Sequence, residues 1–397
     1  MDNDKLYVSA AEAAKMLGVS VPTLYAYVSR ERIRSEAVEG SRSRKYWKGD
    51  VERLRDKAGA TDDMRDMELP IGSESGLTLI TDGGLYFRGH DAIELSKHAS
   101  IESVAALLWD VDEAALFNVP TRDAAEIWEA MRMALHAGLG VIERALVCFP
   151  MLERLDPRAY DLSRAGCART GADVLRWYAA LLVKSKKLPT GPLHAFVAKA
   201  MKAPPGFDEV VRTLLVLAAD HEFDPITYAV RAVANVGVTP YQAVTTGFMV
   251  TRGQRFQVDR FAAATRFLKE ILAGKKGHSA VVQRLRNRES LPGFSSANKL
   301  ADPRTAALMG ALRNALPDDP QLALLEEAEK SAFESVGAVL ENIMPTIFIG
   351  HRLGFEGEEL ALAGLGRMVG WIAHSTEQFH QHELIRPRAK YVGPLPK

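Results

Sequence analysis

The sequence predicts a mainly α-helical protein with a small helix-turn-helix domain at its N-terminus. Of its 397 residues, 47% are hydrophobic and 25% are charged, which is typical of a soluble globular protein with room for about two or three folding units. Beyond residue 90, apolar-periodic segments follow one another and stop at prolines such as Pro120, Pro150 and Pro157. Before residue 58, two serine-capped helical segments precede a basic hairpin.

Composition excludes several classes of protein. Lys+Arg and Asp+Glu both total 50, so the whole chain has no electrostatic bias. Cys148 and Cys167 lie in apolar surroundings and are expected to be buried thiols, not a disulfide framework or a zinc site. No apolar run reaches the length of a membrane span, and the first residues do not form a signal peptide. We therefore expect a cytoplasmic protein without a membrane partner or a metal site.

Residues 1–58 are predicted to form a domain of their own. Ser9 caps the helix AAEAAKMLG, which ends at Gly18, and Ser20 caps the helix VPTLYAYVSRERI. Gly40 and Ser41 then form a turn between two extended arms, and a helix led by Asp50 follows. This order of elements resembles the winged helix-turn-helix domain of MerR-type and excisionase-type DNA-binding proteins.

That resemblance implies a double-stranded DNA partner. A second helix facing the major groove and a basic wing facing phosphates or the minor groove would supply the contacts. The candidate residues are Thr23, Tyr25, Tyr27 and Arg30 on the helix and Arg42, Arg44, Lys45 and Lys48 on the wing. The alternative is a solvated basic hairpin on a small protein-interaction domain.

Residues 59–70 are polar and predict a linker, and a different resemblance begins after them. LYFRGHDAIELSKHASIESVAALLW, GRMVGWIAHSTEQ and LIRPRAKYVGP resemble the opening and closing segments of bacterial citrate synthases. The loop Leu291–Arg304, LPGFSSANKLADPR, resembles their signature loop. The resemblance implies an all-helical, two-domain fold that forms a dimer. Its large domain would comprise residues 71–249 and 346–397, and its small domain residues 250–345.

The residues that would hold a substrate match the family. His221 stands at the position of the substrate-binding histidine, and Arg304, Arg367 and Arg386 stand at those of three carboxylate-binding arginines. The resemblance also implies that Arg386 reaches into the site of the neighbouring subunit. Guanidinium groups bind carboxylates through charge-assisted, often bidentate hydrogen bonds. A small di- or tricarboxylate such as oxaloacetate or citrate is therefore the expected ligand.

The residues that would perform the chemistry do not match. Phe256 stands in place of the histidine that stabilises an enol, and Ser295 or Ser296 in place of the histidine that polarises a ketone. Met344, or Ile343 under a one-residue shift, stands in place of the aspartate base. General base catalysis is typically worth about 10²–10⁴-fold, so little condensation is expected without these groups. Glu341, His278 and His351 lie near the altered segments and are possible substitutes. His194 repeats part of a catalytic motif, Gly-Pro-Leu-His, but precedes His221 and is expected to start a helix.

Three hypotheses follow. The first is a ligand-responsive DNA-binding regulator, or another non-catalytic ligand binder, built on a degenerate citrate synthase dimer. The second is an active citrate or 2-methylcitrate synthase with a rearranged site, which joins an acyl-CoA to oxaloacetate. The third is a non-catalytic partner of an intact citrate synthase paralogue. No cofactor is required in any of them, whereas a CoA thioester could bind through Arg252, Arg255 or Lys299.

Overall fold

The structure is a computed structural model that describes residues 7–29, 33–38, 43–52, 74–81, 84–118, 125–274, 276–296, 302–381 and 385. The chain divides into two compact units, Met1–Ser73 and Glu74–Lys397. The predicted linker 59–70 lies outside the described residues. The finer boundaries expected within the second unit, at residues 249 and 345, stay predictions.

The N-terminal unit combines two helices with a small sheet. Helices α1, Ala10–Leu17, and α2, Val21–Ser29, are followed by the hairpin strands β2, Ser35–Ala37, and β3, Arg44–Trp47. Strand β1, Tyr7–Ser9, pairs with β3, and the antiparallel sheet has the order β1-β3-β2. The described elements thus occur in the order helix, turn, helix, hairpin.

Local sequence explains how α1 begins and ends. The Ser9 side chain accepts a hydrogen bond from the Glu12 N–H while Glu12 bonds back to the Ser9 N–H, which forms a capping box. Gly18 ends the helix with φ of 63°, a left-handed conformation that glycine adopts without steric cost. Both ends of α1 are therefore fixed by the residues that the sequence analysis singled out.

A small core and one ion pair hold the N-terminal unit together. Its buried apolar residues are Ala13, Leu24, Ile33, Tyr46 and Val51. Arg34 donates to both oxygens of Asp50, at 3.0 and 3.1 Å. This pair joins the strand side of the unit to the helical segment that starts near residue 48.

The second unit opens with a hairpin and continues as a helical array. Strands β4, Thr78–Thr81, β5, Gly84–Phe87, and β6, His90–Asp91, form an antiparallel sheet in chain order. The helices that follow, up to Arg286, are α3 Ala92–His98, α4 Ile101–Trp109, α5 Glu113–Phe117, α6 Ala125–His136, α7 Val141–Leu155, α8 Arg164–Leu182, α9 Leu193–Ala200, α10 Phe207–Leu217, α11 Pro225–Ala234, α12 Pro240–Thr251, α13 Gln254–Phe256, α14 Ala263–Ala273 and α15 Gly277–Arg286. A 3-10 turn, Pro157–Tyr160, follows α7, and a π-helical turn, Gln257–Ala262, follows α13.

The remaining elements surround the loop Leu291–Arg304, the site loop. Strand β7, Phe294–Ser296, pairs antiparallel with β8, Ala338–Leu340. The last helices are α16 Pro303–Ala315, α17 Pro320–Val336, α18 Ile343–Arg352 and α19 Ala361–Gln381. The site loop was expected to be irregular as far as Arg304, but it contains a strand and already joins α16 at Pro303.

Pro150 does not end a helix, contrary to the sequence-based expectation. It lies inside α7, where proline removes one backbone hydrogen bond. Cys148, Phe149 and Leu152 on the same helix are all buried in the main core. Their packing outweighs the local cost of the proline, so the helix continues to Leu155.

Helix α19 lies in the middle of the second unit. Most of its residues between Ala361 and Ser375 are buried. The indole N–H of Trp109 donates to the Val369 carbonyl at 3.0 Å, and Phe248 packs edge-on against Trp371. The helix thereby provides a rigid support for the side chains that it carries. Within the described residues, no helix is long and apolar enough to cross a membrane, and no group of three or more His, Cys, Asp or Glu residues is arranged to hold a metal ion.

Two helical glycines give a matched test of the packing. A methyl group on Gly350 in α18 would clash with the Glu359 backbone carbonyl, whereas Gly310 in α16 has no heavy atom within 4 Å of the same position. Gly350→Ala is expected to destabilise the protein by about 1–3 kcal/mol. Gly310→Ala is expected to stabilise it by about 0.5–1 kcal/mol, because alanine is the better helix former. Urea unfolding of both variants is the measurement, and equal stability of the two would contradict this packing.

Candidate functional site

A cleft of about 940 Å³ lies in the second unit, between α7, α10, α14, α16, α18 and α19. Tyr178, Phe248 and Trp371 form part of its apolar wall. Among the described residues, its charged lining comprises five arginines and six carboxylates, namely Arg252, Arg260, Arg266, Arg304, Arg367, Glu143, Asp224, Asp302, Glu341, Glu358 and Glu359.

His221 lies in the turn between α10 and α11 and lines the cleft. Burial, followed by the positive charges of Arg304 and Arg367, lowers the pKa of His221 to about 4. The imidazole is therefore neutral near pH 7. Its Nδ1 is buried and has no hydrogen-bond partner among the described residues. A neutral imidazole with a free nitrogen can donate to or accept from a ligand.

Arg304 is placed by the start of α16. Asp302 caps this helix by accepting from the Arg304 N–H, and Pro303 fixes the first turn. The Asp302 carboxylate also accepts from Nε of Arg304 at 3.0 Å and from Nη2 at 2.7 Å. Burial raises the pKa of Asp302, but the hydrogen bonds and charge of Arg304 outweigh burial and lower the pKa overall. The guanidinium is thus held rigidly with part of its donor edge occupied.

Arg367 reaches the same cleft from α19. Its Nη2 donates to the Asp224 carboxylate and to Oγ1 of Thr227, the latter at 3.2 Å. Its Nη1 lies 3.7 Å from Oδ1 of Asp220. Helix α19 approaches the turn between α10 and α11 closely at Gly370, whose N–H donates to the Ala219 carbonyl at 2.9 Å. A side chain at this position would clash with that carbonyl, so the close approach depends on glycine.

The carboxylate partners of the two arginines change the expected charge of the site. Arg304 and Arg367 bring two positive charges, and Asp220, Asp224 and Asp302 bring three negative charges to the same groups. Within the described residues, this cluster is therefore nearly neutral. A ligand carboxylate therefore has to share each guanidinium with a protein carboxylate.

The structure brings together three of the four predicted binding residues. His221, Arg304 and Arg367 all line the one cleft. Arg386 lies outside the described residues. Their roles as substrate ligands stay predictions, although their convergence is an observation.

Within the described residues, none of the side chains at the three predicted catalytic positions lines the cleft with a group that can accept a proton. Met344 in α18 is fully buried beside Gly293. Ser296 is the exposed last residue of β7, and it is Ser295 that lines the cleft. Phe256 lies in the short helix α13, and its side chain is outside the described part of the structure.

Glu341 is the functional candidate that the structure adds. It directly follows β8 and lines the cleft, and its N–H donates to the Gly293 carbonyl at 2.9 Å. Its carboxylate lies 3.7 Å from Nη2 of Arg260. The sequence named Glu341 as one of three possible substitutes near the altered segments, but nothing in the sequence showed where its side chain points. The other two possible substitutes, His278 and His351, are not part of the described lining.

The candidate phosphate-binding residues and His194 occupy different places. Arg252 lines the cleft and donates to Glu143 at 2.9 Å. Arg255 is exposed outside the lining, and Lys299 lies outside the described residues. His194 is the second residue of α9, where the Leu193 N–H donates to Glu102, and it does not belong to the cleft.

The candidate DNA-binding residues are only partly described. Thr23 and Tyr25 are exposed on α2, and Arg44 and Lys45 lie on β3. Arg44 donates to the Ser35 side chain and carbonyl, at 3.0 and 3.1 Å. Lys45 lies 3.5 Å from the Glu36 carboxylate and above the Tyr7 ring. Tyr27 lies on α2, but its side chain is outside the described part of the structure. Arg30 and Arg42 lie outside the described residues.

Lys48, the remaining basic residue of this set, lies 3.5 Å from Glu52. The described basic groups of the hairpin are therefore engaged within the unit. To contact DNA phosphates, these basic groups would have to leave their present partners. Surface ion pairs contribute little stability, so this exchange would cost little free energy.

The buried His221 makes stability depend on pH. In the unfolded chain its pKa returns to about 6.5, so between pH 4 and pH 6.5 the unfolded state binds a proton that the native state does not. Stability therefore rises with pH through this window and is lost as the pH falls, by up to about 3 kcal/mol. His221→Gln is expected to flatten this part of the profile. Urea unfolding of wild type and variant at pH 5 and pH 7 tests this, and parallel profiles would contradict it.

Comparison with known proteins gives a consistent result for the second unit. A family model described as "Citrate synthase, C-terminal domain" matches residues 70–388. The chain is 23% identical to citrate synthase 2 of Bacillus subtilis over 369 residues, which cover 83% of this chain and 96% of that protein. It is 25% identical to the 2-methylcitrate synthase of Mycobacterium tuberculosis H37Rv over 334 residues, covering 78% of this chain and 84% of that protein.

Solved structures show the same fold. The citrate synthase of Pyrobaculum aerophilum superposes with a TM-score of 0.66 at 18% identity, covering 82% of this chain and 91% of that chain. The citrate synthase of Thermoplasma acidophilum, solved as a ternary complex with carboxymethyl coenzyme A and oxaloacetate, gives 0.63 at 19% identity and covers 84% and 96%.

Proposed function

The chain belongs to the citrate synthase family, and we propose that it binds a small dicarboxylate such as oxaloacetate together with an acyl-CoA and joins the two. One observation carries this proposal: a single cleft contains His221, Arg304 and Arg367, the trio predicted to bind carboxylates, and, in addition, the carboxylate of Glu341. Relatives named citrate synthase and 2-methylcitrate synthase support the same chemistry.

The trio would hold the dicarboxylate. Within the described residues, Asp302 accepts from Nε and Nη2 of Arg304, and the Nη1 edge remains available to a ligand carboxylate. Arg367 shares its guanidinium between Asp224 and Asp220 and offers its remaining N–H groups on the cleft side. The neutral imidazole of His221 would donate a hydrogen bond to the ketone oxygen, where negative charge develops during the reaction.

Glu341 would serve as the base. It would accept a proton from the carbon next to the thioester carbonyl, and that carbon would then form a bond to the ketone carbon of oxaloacetate. The ketone oxygen becomes an alkoxide and takes up a proton. Water then cleaves the thioester, which releases the free thiol of CoA and a tricarboxylic acid. General base catalysis by a positioned carboxylate is the step that Met344 cannot supply.

Exposed arginines at the cleft would contact the CoA phosphates. Arg252 and Arg260 are the candidates, because both line the cleft and keep 43% and 59% of their side-chain surface exposed. Guanidinium groups bind phosphate oxygens in the same bidentate manner as carboxylates. The citrate synthase of Thermoplasma acidophilum was solved with carboxymethyl coenzyme A and oxaloacetate together.

The deciding experiment combines calorimetry with a thiol-release assay. Oxaloacetate is expected to bind to the purified chain, and acetyl-CoA or propionyl-CoA with oxaloacetate is expected to release free thiol. Binding of oxaloacetate without thiol release from either thioester would refute the condensation and leave a ligand-binding function. Absence of binding would refute the proposal altogether.

A second candidate is a non-catalytic, ligand-responsive DNA-binding regulator. Two observations favour it. Met344, at the position of the family base, is buried and apolar. The N-terminal unit contains two helices followed by a basic hairpin. Selection of bound sequences from random duplexes, with and without oxaloacetate, is the test. Enrichment of a palindromic site that shifts with the ligand is expected; no enrichment in either condition would refute this candidate.

We further propose that the chain works as a dimer, either with itself or with an intact paralogue. The family resemblance implies that Arg386 would reach into the site of the neighbouring subunit, so one protomer would complete the site of the other. Light scattering of the purified chain should give the mass of a dimer. Co-purification with a second citrate-synthase-like chain from the source cells would favour the heteromer.

A further inference from the structure

A buried chain of polar side chains leads away from the cleft. Asp220, Arg231 and His374 are all completely inaccessible to solvent. Nε2 of His374 lies 3.1 Å from Oδ2 of Asp220, and Nη1 of Arg231 lies 3.1 Å from Nδ1 of His374. Because the guanidinium can only donate, Nδ1 is the acceptor and the ring proton on Nε2 is directed at Asp220. The three side chains thus form a hydrogen-bonded series with a fixed direction.

The near end of this series contacts the cleft. Asp220 precedes His221, and its Oδ1 lies 3.7 Å from Nη1 of Arg367. Arg367 and His374 are seven residues apart on α19, so they lie two turns apart on one face of the helix. Asp220 therefore shares its charge between a cleft arginine and the buried series.

The far end holds the first residues of the second unit. Nη1 of Arg231 donates to Oε2 of Glu377 at 2.6 Å, and Oε1 of Glu377 accepts from the Gly76 N–H at 2.9 Å. Nη2 of Arg231 donates to the Glu74 carbonyl at 3.3 Å, and Gln381 donates to the same carbonyl at 3.2 Å. The Glu74 carbonyl is therefore held by Arg231, the arginine that orients His374, and the Gly76 N–H is held by its partner Glu377. In the sequence, segment 74–76 directly follows the N-terminal unit.

We propose that this series, Asp220, His374, Arg231 and Glu377, couples occupancy of the cleft to the attachment of segment 74–76. The inference rests on the proposed binding function. A ligand carboxylate that engages Arg367 competes with Asp220 and Asp224 for the guanidinium, and the freed charge of Asp220 strengthens its hydrogen bond to His374. Since Asp220, His374 and Arg231 are buried and Glu377 keeps only 14% of its side-chain surface exposed, a change in one pairing alters the others. Coupling is reciprocal, so an altered far end must change the affinity of the cleft.

The first test is hydrogen exchange of the wild-type full chain with and without oxaloacetate. Binding is established in parallel by calorimetry. The peptide that contains residues 74–81 is expected to exchange more slowly when oxaloacetate is bound. If oxaloacetate binds and exchange of this peptide is unchanged, the inference is wrong while the proposed function stands. If no oxaloacetate binds, the proposed function fails and the inference fails with it.

The second test replaces the far end of the series. Glu377→Gln removes the charge that pairs with Arg231 but keeps an oxygen for the Gly76 N–H. It is expected to change the Kd of oxaloacetate about 5-fold or more, although Glu377 is not part of the cleft lining, and to abolish the ligand effect on residues 74–81. Glu209→Gln is the matched control, because Glu209 pairs with the buried Arg212 at the same 2.6 Å, away from the series. Equal effects of the two variants, or no effect of Glu377→Gln on Kd, would overturn the coupling. If Glu377→Gln does not fold, the wild-type exchange experiment decides alone.

Discussion

Arg304→Gln will weaken the binding of oxaloacetate about 100-fold or more. The substitution removes a guanidinium that can make two charge-assisted hydrogen bonds to a ligand carboxylate, each worth about 1.5–3 kcal/mol. It also leaves Asp302, now without its cation, close to the ligand. The backbone N–H at position 304 still bonds to Asp302, so the start of α16 is preserved. Isothermal titration calorimetry of folded protein is the measurement.

Arg313→Gln is the control for this variant. Arg313 lies on the same helix, pairs with Glu326 at 2.5 Å and keeps 51% of its side-chain surface exposed. An exposed pair of this kind contributes little, so the Kd should remain that of wild type. Wild-type affinity in Arg304→Gln would show that the dicarboxylate does not bind in this cleft.

Glu341→Gln will lower kcat for thiol release about 10²–10⁴-fold while leaving the Kd of oxaloacetate within a few-fold of wild type. The amide has the shape of the carboxylate but cannot accept the proton from the thioester. Its backbone hydrogen bond to Gly293 is unaffected. A loss confined to kcat separates a role in proton transfer from a role in binding.

Glu334→Gln provides the matched substitution outside the cleft. Glu334 lies on α17 with 63% of its side-chain surface exposed and is 3.9 Å from Lys330. We expect wild-type kcat for it. Full activity in Glu341→Gln would exclude Glu341 as the base, and a wild-type chain without turnover would favour the non-catalytic regulator.

Much of the local structure could be predicted from the sequence, because it depends on near neighbours in the chain. The Ser9 cap and the Gly18 end of α1 are short-range patterns, and both are present. Family resemblance placed His221, Arg304 and Arg367 at related positions, and the three meet in one cleft. Pro150 shows the limit of local rules, since buried neighbours on α7 carry the helix past it.

The charge of the site could not be predicted, because its partners come from distant parts of the chain. Asp224 and Arg367 are separated by 143 residues in sequence, and no local pattern indicates that they pair. The direction of Glu341 depends on the pairing of β8 with β7 and on the Gly293 carbonyl, which are tertiary contacts. The sequence therefore predicted two arginines that reach the cleft, but not how much of their charge is already neutralised.

The balance of five arginines and six carboxylates in the cleft lining has a kinetic consequence. A strongly positive cleft attracts an anion from a distance and raises its association rate, and added salt then slows capture. Here opposite charges alternate within a few ångströms, so their fields largely cancel beyond the mouth of the cleft. A dianion would approach by unguided diffusion and meet the guanidinium groups only on contact. Discrimination among anions would then depend on how long each one stays bound, not on how fast it arrives.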